Sequence, residues 1–189
     1  GITSRAETLV DNYGDLPSPK AYDKDEVIIG GNMVRWYGGF DSYVVAGEFG
    51  VPISAPSMGR KIDREDEMDI NHFPYMNWVE WINNLAQFKY GVHLMPTHAA
   101  GTFTLNCAFH GIPCIGYRGL DTQQELHPLL SVDDGDLESA KKLAIQLRDD
   151  DDFYSERSLF CRENYVASLY NEKNFTPYIT KILEGLNNG

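Results

Sequence analysis

"THAAGTFTLNCAFHGIPCIG", Thr97 to Gly116, is the stretch on which the fold turns. A glycine-bearing turn leads into a run of small and apolar residues that reads as a helix over roughly 102–110. A Gly-Ile-Pro breaker stops that helix, and "PCIG" (113–116) resumes as an apolar strand. Either this is a strand–turn–helix–strand passage of an ordinary α/β core, or its turn holds a ligand.

The flanking sequence repeats the same alternation. "EVIIGG" (26–31) reads as a buried strand ending on two glycines, and "GGFDSYVVAGEFG" (38–50) as a helix with Gly50 near its end. "VPISAPS" (51–57) is a second strand, and the mixed charges of "MGRKIDREDEMDI" (58–70) suit a solvated loop. In "NWVEWINNLAQF" (77–88), Trp78, Trp81, Ile82, Leu85 and Phe88 recur at spacings of three and four, the stripe of an amphipathic helix. That spacing assigns Trp78, Trp81 and Leu85 to the core. "YGVHLMPT" (90–97) is the strand before the quoted turn. Beyond it, "DTQQELHP" is a short helix or turn stopped by Pro128, and "LLSV" a last short strand.

"DLESAKKLAIQLRDD" (136–150) is a strong helix with acidic residues at its start and basic ones towards its end, as the helix dipole favours. "DDDD" (149–152) suits a solvated turn, with closing helices over 153–171 and 176–186. Strands alternating with helices of this length predict α/β architecture: a Rossmann-like parallel sheet with helices on both faces, closed by C-terminal helices. The polar opening residues, 1–25, read as a helix and loop ahead of it.

Composition narrows the function. The 189 residues are 42% hydrophobic, with 11 Tyr and 9 Phe, enough for one sizeable core. No apolar run reaches the roughly eighteen residues of a membrane span. The opening "GITSRAETLV" lacks a signal-peptide pattern and reads as the middle of a longer protein. With 16 basic against 28 acidic residues, the net charge of −12 argues against a nucleic-acid partner. It leaves room for one small anion held by backbone N–H groups. Cys107, Cys114 and Cys161 lack CxxC spacing and suit buried thiols in a reducing, cytoplasmic compartment.

In an open parallel sheet, ligands bind beyond the carboxyl ends of the strands. Two such ends stand out: Gly30-Gly31-Asn32, and the turn from Thr97 through His98 to Gly101. The first N–H groups of the helix after Gly101 have no internal partner, and partial positive charge gathers there. Gly101 would permit close approach of an anion, and Thr102 or Thr104 would add a hydroxyl. The alternative is that Thr102 simply caps a core helix. Other motifs are weaker. Asp133, Asp134 and Asp136 lack the later glutamate of a calcium loop, and His93 and His98 lack zinc spacing. "GGNMVRWYGG" is not G-x-G-x-x-G, and no G-x-S-x-G occurs.

From about residue 27 to 186 the order of elements resembles the C-terminal, nucleotide-sugar-binding domain of GT-B fold glycosyltransferases. It looks most like the large retaining family. Three passages carry the likeness: "IIGGNMVRWYGGFDSYVVAG", "NWVEWINNLAQFKYGVHLMPT" and "HAAGTFTLNCAFHGIPCIG". The last is similar to a signature of two glutamates separated by seven residues, around a glycine turn and before a small-residue helix and a G-x-P-x-I strand. Here those positions hold His98 and Asn106. The family's basic pair on the first turn corresponds to Asn32 and Tyr37, with Arg35 nearby as a substitute.

The resemblance implies transfer of a sugar from a nucleotide-diphosphate donor to an acceptor, whether glycan, lipid or protein. His98 would lie near the reacting sugar, and Asn106 would hold the ribose. Gly31 and Gly101 would allow close approach. Thr102, Phe103 and Thr104 would offer N–H groups to the leaving diphosphate, and Tyr75 in "HFPYM" would stack on the base. No cofactor or metal is implied. An N-terminal half that this sequence lacks would bind the acceptor and carry any contact with a membrane surface. Two alternatives compete: a non-catalytic Rossmann-like module binding a nucleotide or partner, and a GT-B nucleotide-sugar 2-epimerase.

Overall fold

A computed structural model describes residues 24–56, 59–97 and 101–187. The helix and loop expected in the opening segment therefore lie, up to residue 23, outside the described residues, as does His98. Six strands form one sheet in the order β3-β2-β1-β4-β5-β6, every neighbouring pair parallel. They are β1 (Lys24–Ile29), β2 (Ile53–Pro56), β3 (Asn71–Phe73), β4 (Phe88–His93), β5 (Cys114–Tyr117) and β6 (Ser131–Val132).

Alternation along β1 shows why helices are needed on both sides. Val27 and Ile29 face one layer and Ile28 the other, and all three are fully buried. On the first face pack α1 (Gly39–Ala46) and α5 (Leu137–Asp149), through Val45, Ala46, Ala140, Ala144 and Leu147. On the second lie α2 (Trp78–Leu85) and α3 (Thr102–His110), through Leu85 and Cys107. The short α4 (Asp121–Leu126) packs beside α3 through Leu126. The helices α6 (Asp151–Ala167) and α7 (Glu172–Asn187) close the chain. Cys161 and Tyr165 of α6 join the α3 layer, while Tyr154 meets Tyr90 edge-on with ring centroids 5.6 Å apart. The expected architecture is the observed one.

Local corrections have simple causes. Phe88 belongs to β4 rather than to the preceding helix, which ends at Leu85, so its place in the apolar stripe was coincidental. The supposed solvated loop over 58–70 contains a 3-10 turn at Glu65–Glu67 and leads into β3. Glu65 is buried there: its Oε2 accepts the Ile62 N–H at 2.8 Å, and its Oε1 lies 3.3 Å from His72 Nε2. The aspartate run is hardly a turn. Asp149 ends α5, and Asp150 caps α6 by accepting the Phe153 N–H at 2.9 Å, so α6 begins two residues earlier than expected.

Candidate functional site

The strand order reverses between β1 and β4. The connection after β1 runs over one face of the sheet, and that after β4 over the other, which opens a crevice beyond their carboxyl ends. Close backbone packing shapes the crevice. Gly38, at φ +65°, lies so near the Leu94 carbonyl that no side chain would fit. Ser42 ties the two exits together: its Oγ donates to the Gly38 carbonyl at 2.8 Å and accepts the Leu94 N–H at 2.9 Å. Gly30 backs directly onto the His93 imidazole and the Phe103 ring.

A cavity of about 620 Å³ occupies this crevice. Its floor is Gly31, His93 and Met95; Trp36 and Tyr37 form one side. The segment Phe73–Met76 and the helix residues Trp78 and Trp81 form another, and Thr102, Phe103 and Asn106 of α3 complete it. Aromatic rings dominate, with a few polar groups among them, the usual make-up of a small-molecule site. Among the described residues no Lys or Arg lines it.

Two buried polar atoms of residues lining this space have no hydrogen-bond partner among the described residues, Asn106 Oδ1 and Trp78 Nε1, while His93 Nδ1 is turned towards Gly30. Asn106 is 1% exposed, so its oxygen has given up water without compensation. Burial pushes the His93 imidazole down to about 4, against an opposing effect of the Gly30 backbone, so the ring is neutral at pH 7. Its ring centroid lies 5.2 Å from that of Phe103, which in turn lies 6.3 Å from Trp81. The start of α3 borders the same space. Gly101 is its N-cap residue, and no side chain caps the first turn. Thr102 is therefore not the cap that the bland reading supposed.

The residues singled out in the sequence divide into three groups. Gly31, Tyr75, Thr102, Phe103 and Asn106 line the cavity, and Tyr75 is almost fully exposed at its mouth. Gly101 and Thr104 do not. The Thr104 hydroxyl donates to the Gly101 carbonyl at 2.9 Å and sits 2.7 Å from the Thr122 hydroxyl, so it serves packing between α3 and α4. Asn32 lines a smaller neighbouring pocket, where its Oδ1 accepts the Val34 N–H at 3.3 Å. Arg35 borders a different cavity with Met33, Phe40 and Asp41.

Several wall residues escaped the sequence reading. Trp78 and Trp81, assigned to the core by their helical spacing, do pack against it, but both are half-buried and also line the cavity. The inward stripe of α2 is shared: Ile82 and Leu85 are fully buried, while the tryptophans at the start of the helix reach its rim. His93 ends a strand, and its position gives no local sign that it faces a cavity. Trp36 and Phe73 join the site only because β3 and the loop after β1 meet there. Among the described residues no group of three or more His, Cys, Asp or Glu gathers to hold a metal, and no helix is long and apolar enough to cross a membrane.

No protein-family model matches the chain, and no curated protein matches it. Solved structures do. A mutant of S. aureus TarM in complex with Fondaparinux, alpha-GlcNAc-glycerol and UDP is 13% identical with TM-score 0.69, over 87% of this chain and 37% of that one. Sucrose-phosphate synthase from Thermosynechococcus elongatus is 16% identical with TM-score 0.66, over 97% of this chain and 48% of that one. Anabaena HepE in complex with UDP and glucose is 8% identical with TM-score 0.68, over 95% and 52%. This chain has the fold of one half of a GT-B glycosyltransferase and spans between about a third and about half of the length of these structures.

Proposed function

We propose that this chain is the donor-binding half of a glycosyltransferase that uses a nucleotide-diphosphate sugar. The observation that carries the reading is the aromatic cavity at the strand-order reversal, with the unpartnered Asn106 Oδ1 among its lining residues. A ligand hydroxyl or ring N–H donating there would remove a desolvation cost already present.

On this reading the base lies among the cavity's aromatic rings and stacks on Tyr75 at the mouth. A ribose hydroxyl donates to Asn106 Oδ1. The N–H groups at the start of α3, at Thr102 and Phe103, face the diphosphate. They stabilise the charge that builds on it as the bond from its oxygen to the sugar's anomeric carbon breaks. An acceptor hydroxyl forms the new bond at that carbon. The acceptor, a glycan, lipid or protein, would be held by a second α/β half, and His98 would lie near the sugar. Three buried free thiols suit a cytoplasmic setting for this chemistry. GT-B homology in fold alone also accommodates a 2-epimerase acting on the same donor.

Titrating the 189-residue chain with UDP, GDP and ADP by calorimetry tests the proposal. Saturable binding of one of them, weakened by Asn106→Ala, is expected; no binding at millimolar ligand would sink it. A second reading, nucleotide binding without turnover, is favoured by the lack of any Lys or Arg lining the cavity among the described residues. Incubating the full-length protein with donor and acceptor, and analysing products, separates transfer, epimerisation and simple binding.

A further inference from the structure

An aromatic, uncharged cavity solves only part of the problem posed by a nucleotide. Its phosphates need countercharge, the more so on a protein of net charge −12. The helix N-terminus contributes only partial charge. We infer that one phosphate of a bound nucleotide, the one turned away from the start of α3, reaches the smaller pocket beside Gly31, and that Arg60 is the cation that holds it. The inference rests on the donor-site reading above.

The smaller pocket, of about 200 Å³, shares Gly31 and Pro56 with the main cavity, so the two form adjoining chambers along the end of β1 and β2. Gly31 adopts φ +77°, a conformation that side-chain-bearing residues rarely take, and a side chain there would press on Tyr37. The pocket is lined by Arg60, Lys61, Asn32, Glu65 and His72 among others. Of its two full cations, Lys61 is spent: its Nζ lies 2.7 Å from Asp66 Oδ1. Nearby Arg64 is paired with Glu67, and Arg35 borders a separate cavity.

Arg60 differs. It has no carboxylate partner among the described residues, and its guanidinium lies over the Trp36 ring at 6.0 Å from the centroid. Trp36 is itself a wall of the main cavity. An arginine held by ring stacking keeps its planar fork of donors free, the arrangement suited to bidentate phosphate recognition. The carboxylate that lines the pocket already has partners of its own. Glu65 is almost fully buried, with one oxygen bonded to the Ile62 N–H and the other facing His72. Nothing in the segment's sequence marks Arg60 from Lys61 or Arg64; only the fold separates the free cation from the paired ones.

The test compares UDP with uridine by calorimetry, using the 189-residue chain and its Arg60→Ala and Arg60→Lys variants at low and high salt. Arg60 is exposed, and melting temperature confirms that each variant is folded. Wild type should bind UDP more tightly than uridine, with an advantage that shrinks in salt. Arg60→Ala should lower UDP affinity about tenfold or more, as expected for a lost charge-assisted hydrogen bond, and leave uridine unchanged. Arg60→Lys should recover part of the loss, since it keeps the charge without the fork. Equal losses for both ligands would mean that Arg60 acts only by propping Trp36. Unchanged UDP binding in Arg60→Ala would also overturn the inference, yet leave the donor site standing. Wild type binding neither ligand would remove both.

Discussion

Gly101 and Thr122 are packed so closely that a β-carbon on the glycine would collide with the threonine Oγ1. That Oγ1 donates to the Gly101 carbonyl at 3.0 Å, and the Thr104 hydroxyl donates to the same carbonyl. The glycine that the sequence offered as a ligand contact is instead the point where α3 meets α4. A side chain there would also lie 2.7 Å from Thr104 Oγ1. Gly101→Ala should therefore destabilise the fold by about 1–3 kcal/mol, the usual cost of overpacking a close-packed site. Urea unfolding measures it. A midpoint equal to that of wild type would show that the contact is slack.

Ser42 makes the converse case, a small polar residue whose removal leaves a gap. It is fully buried and supplies the only acceptor shown for the Leu94 N–H. Ser42→Ala should cost about 1–3 kcal/mol through that orphaned donor. Because Leu94 precedes Met95 of the cavity floor, UDP affinity should fall with stability. Retained stability would show that water or a backbone shift satisfies Leu94.

Three histidines make the fold sensitive to acid. Burial pushes His93, His110 and His127 down to about 4 each. His127 is kept neutral by burial and accepts the Cys114 N–H through Nδ1 at 3.4 Å, while the bond its Nε2 donates to the Thr104 carbonyl at 3.0 Å opposes the shift. The unfolded chain takes up these protons near pH 6.5, the folded one only near 4. Their contribution is thus complete above about pH 7.5 and is lost as pH falls from about 6.5 to 4. Each is worth on the order of 3 kcal/mol over that window. Urea midpoints measured from about pH 7.5 to 5 should fall steadily, and less steeply in His127→Gln. A flat profile would contradict the neutral assignment.

The cavity residues should separate binding from stability. Tyr75 is 87% exposed, so Tyr75→Ala should leave the melting temperature unchanged while weakening UDP by about 0.5–1.5 kcal/mol of lost stacking. Asn106→Ala should weaken UDP by roughly 0.5–1.5 kcal/mol. Since its Oδ1 has no partner in the unliganded fold, that change should not destabilise the protein through that atom. Calorimetry and thermal melts on the same samples check both. A large drop in melting temperature for Asn106→Ala would assign the residue to the core instead of the site.

Local pattern determined the architecture. Runs such as Val27–Ile29, alternating with amphipathic helices, admit few solutions besides a parallel sheet covered on both faces, since each apolar surface must be buried. The glycine-bearing turn after Thr97 likewise pointed to the carboxyl edge of β4, where part of the cavity lies. The tertiary structure decided which side chains of those segments face the crevice. Spacing along α2 shows a stripe but not that its first turn overhangs a cavity, so Trp78 and Trp81 read as core. His93 and Trp36, 57 residues apart in sequence, share a wall because the sheet places β4 beside β1. Thr104 was lost to the site because α4, from a later segment, brings Thr122 to its hydroxyl. Periodicity reports on neighbours within one element, whereas a site is made of contacts between elements, and those exist only once the sheet order is fixed.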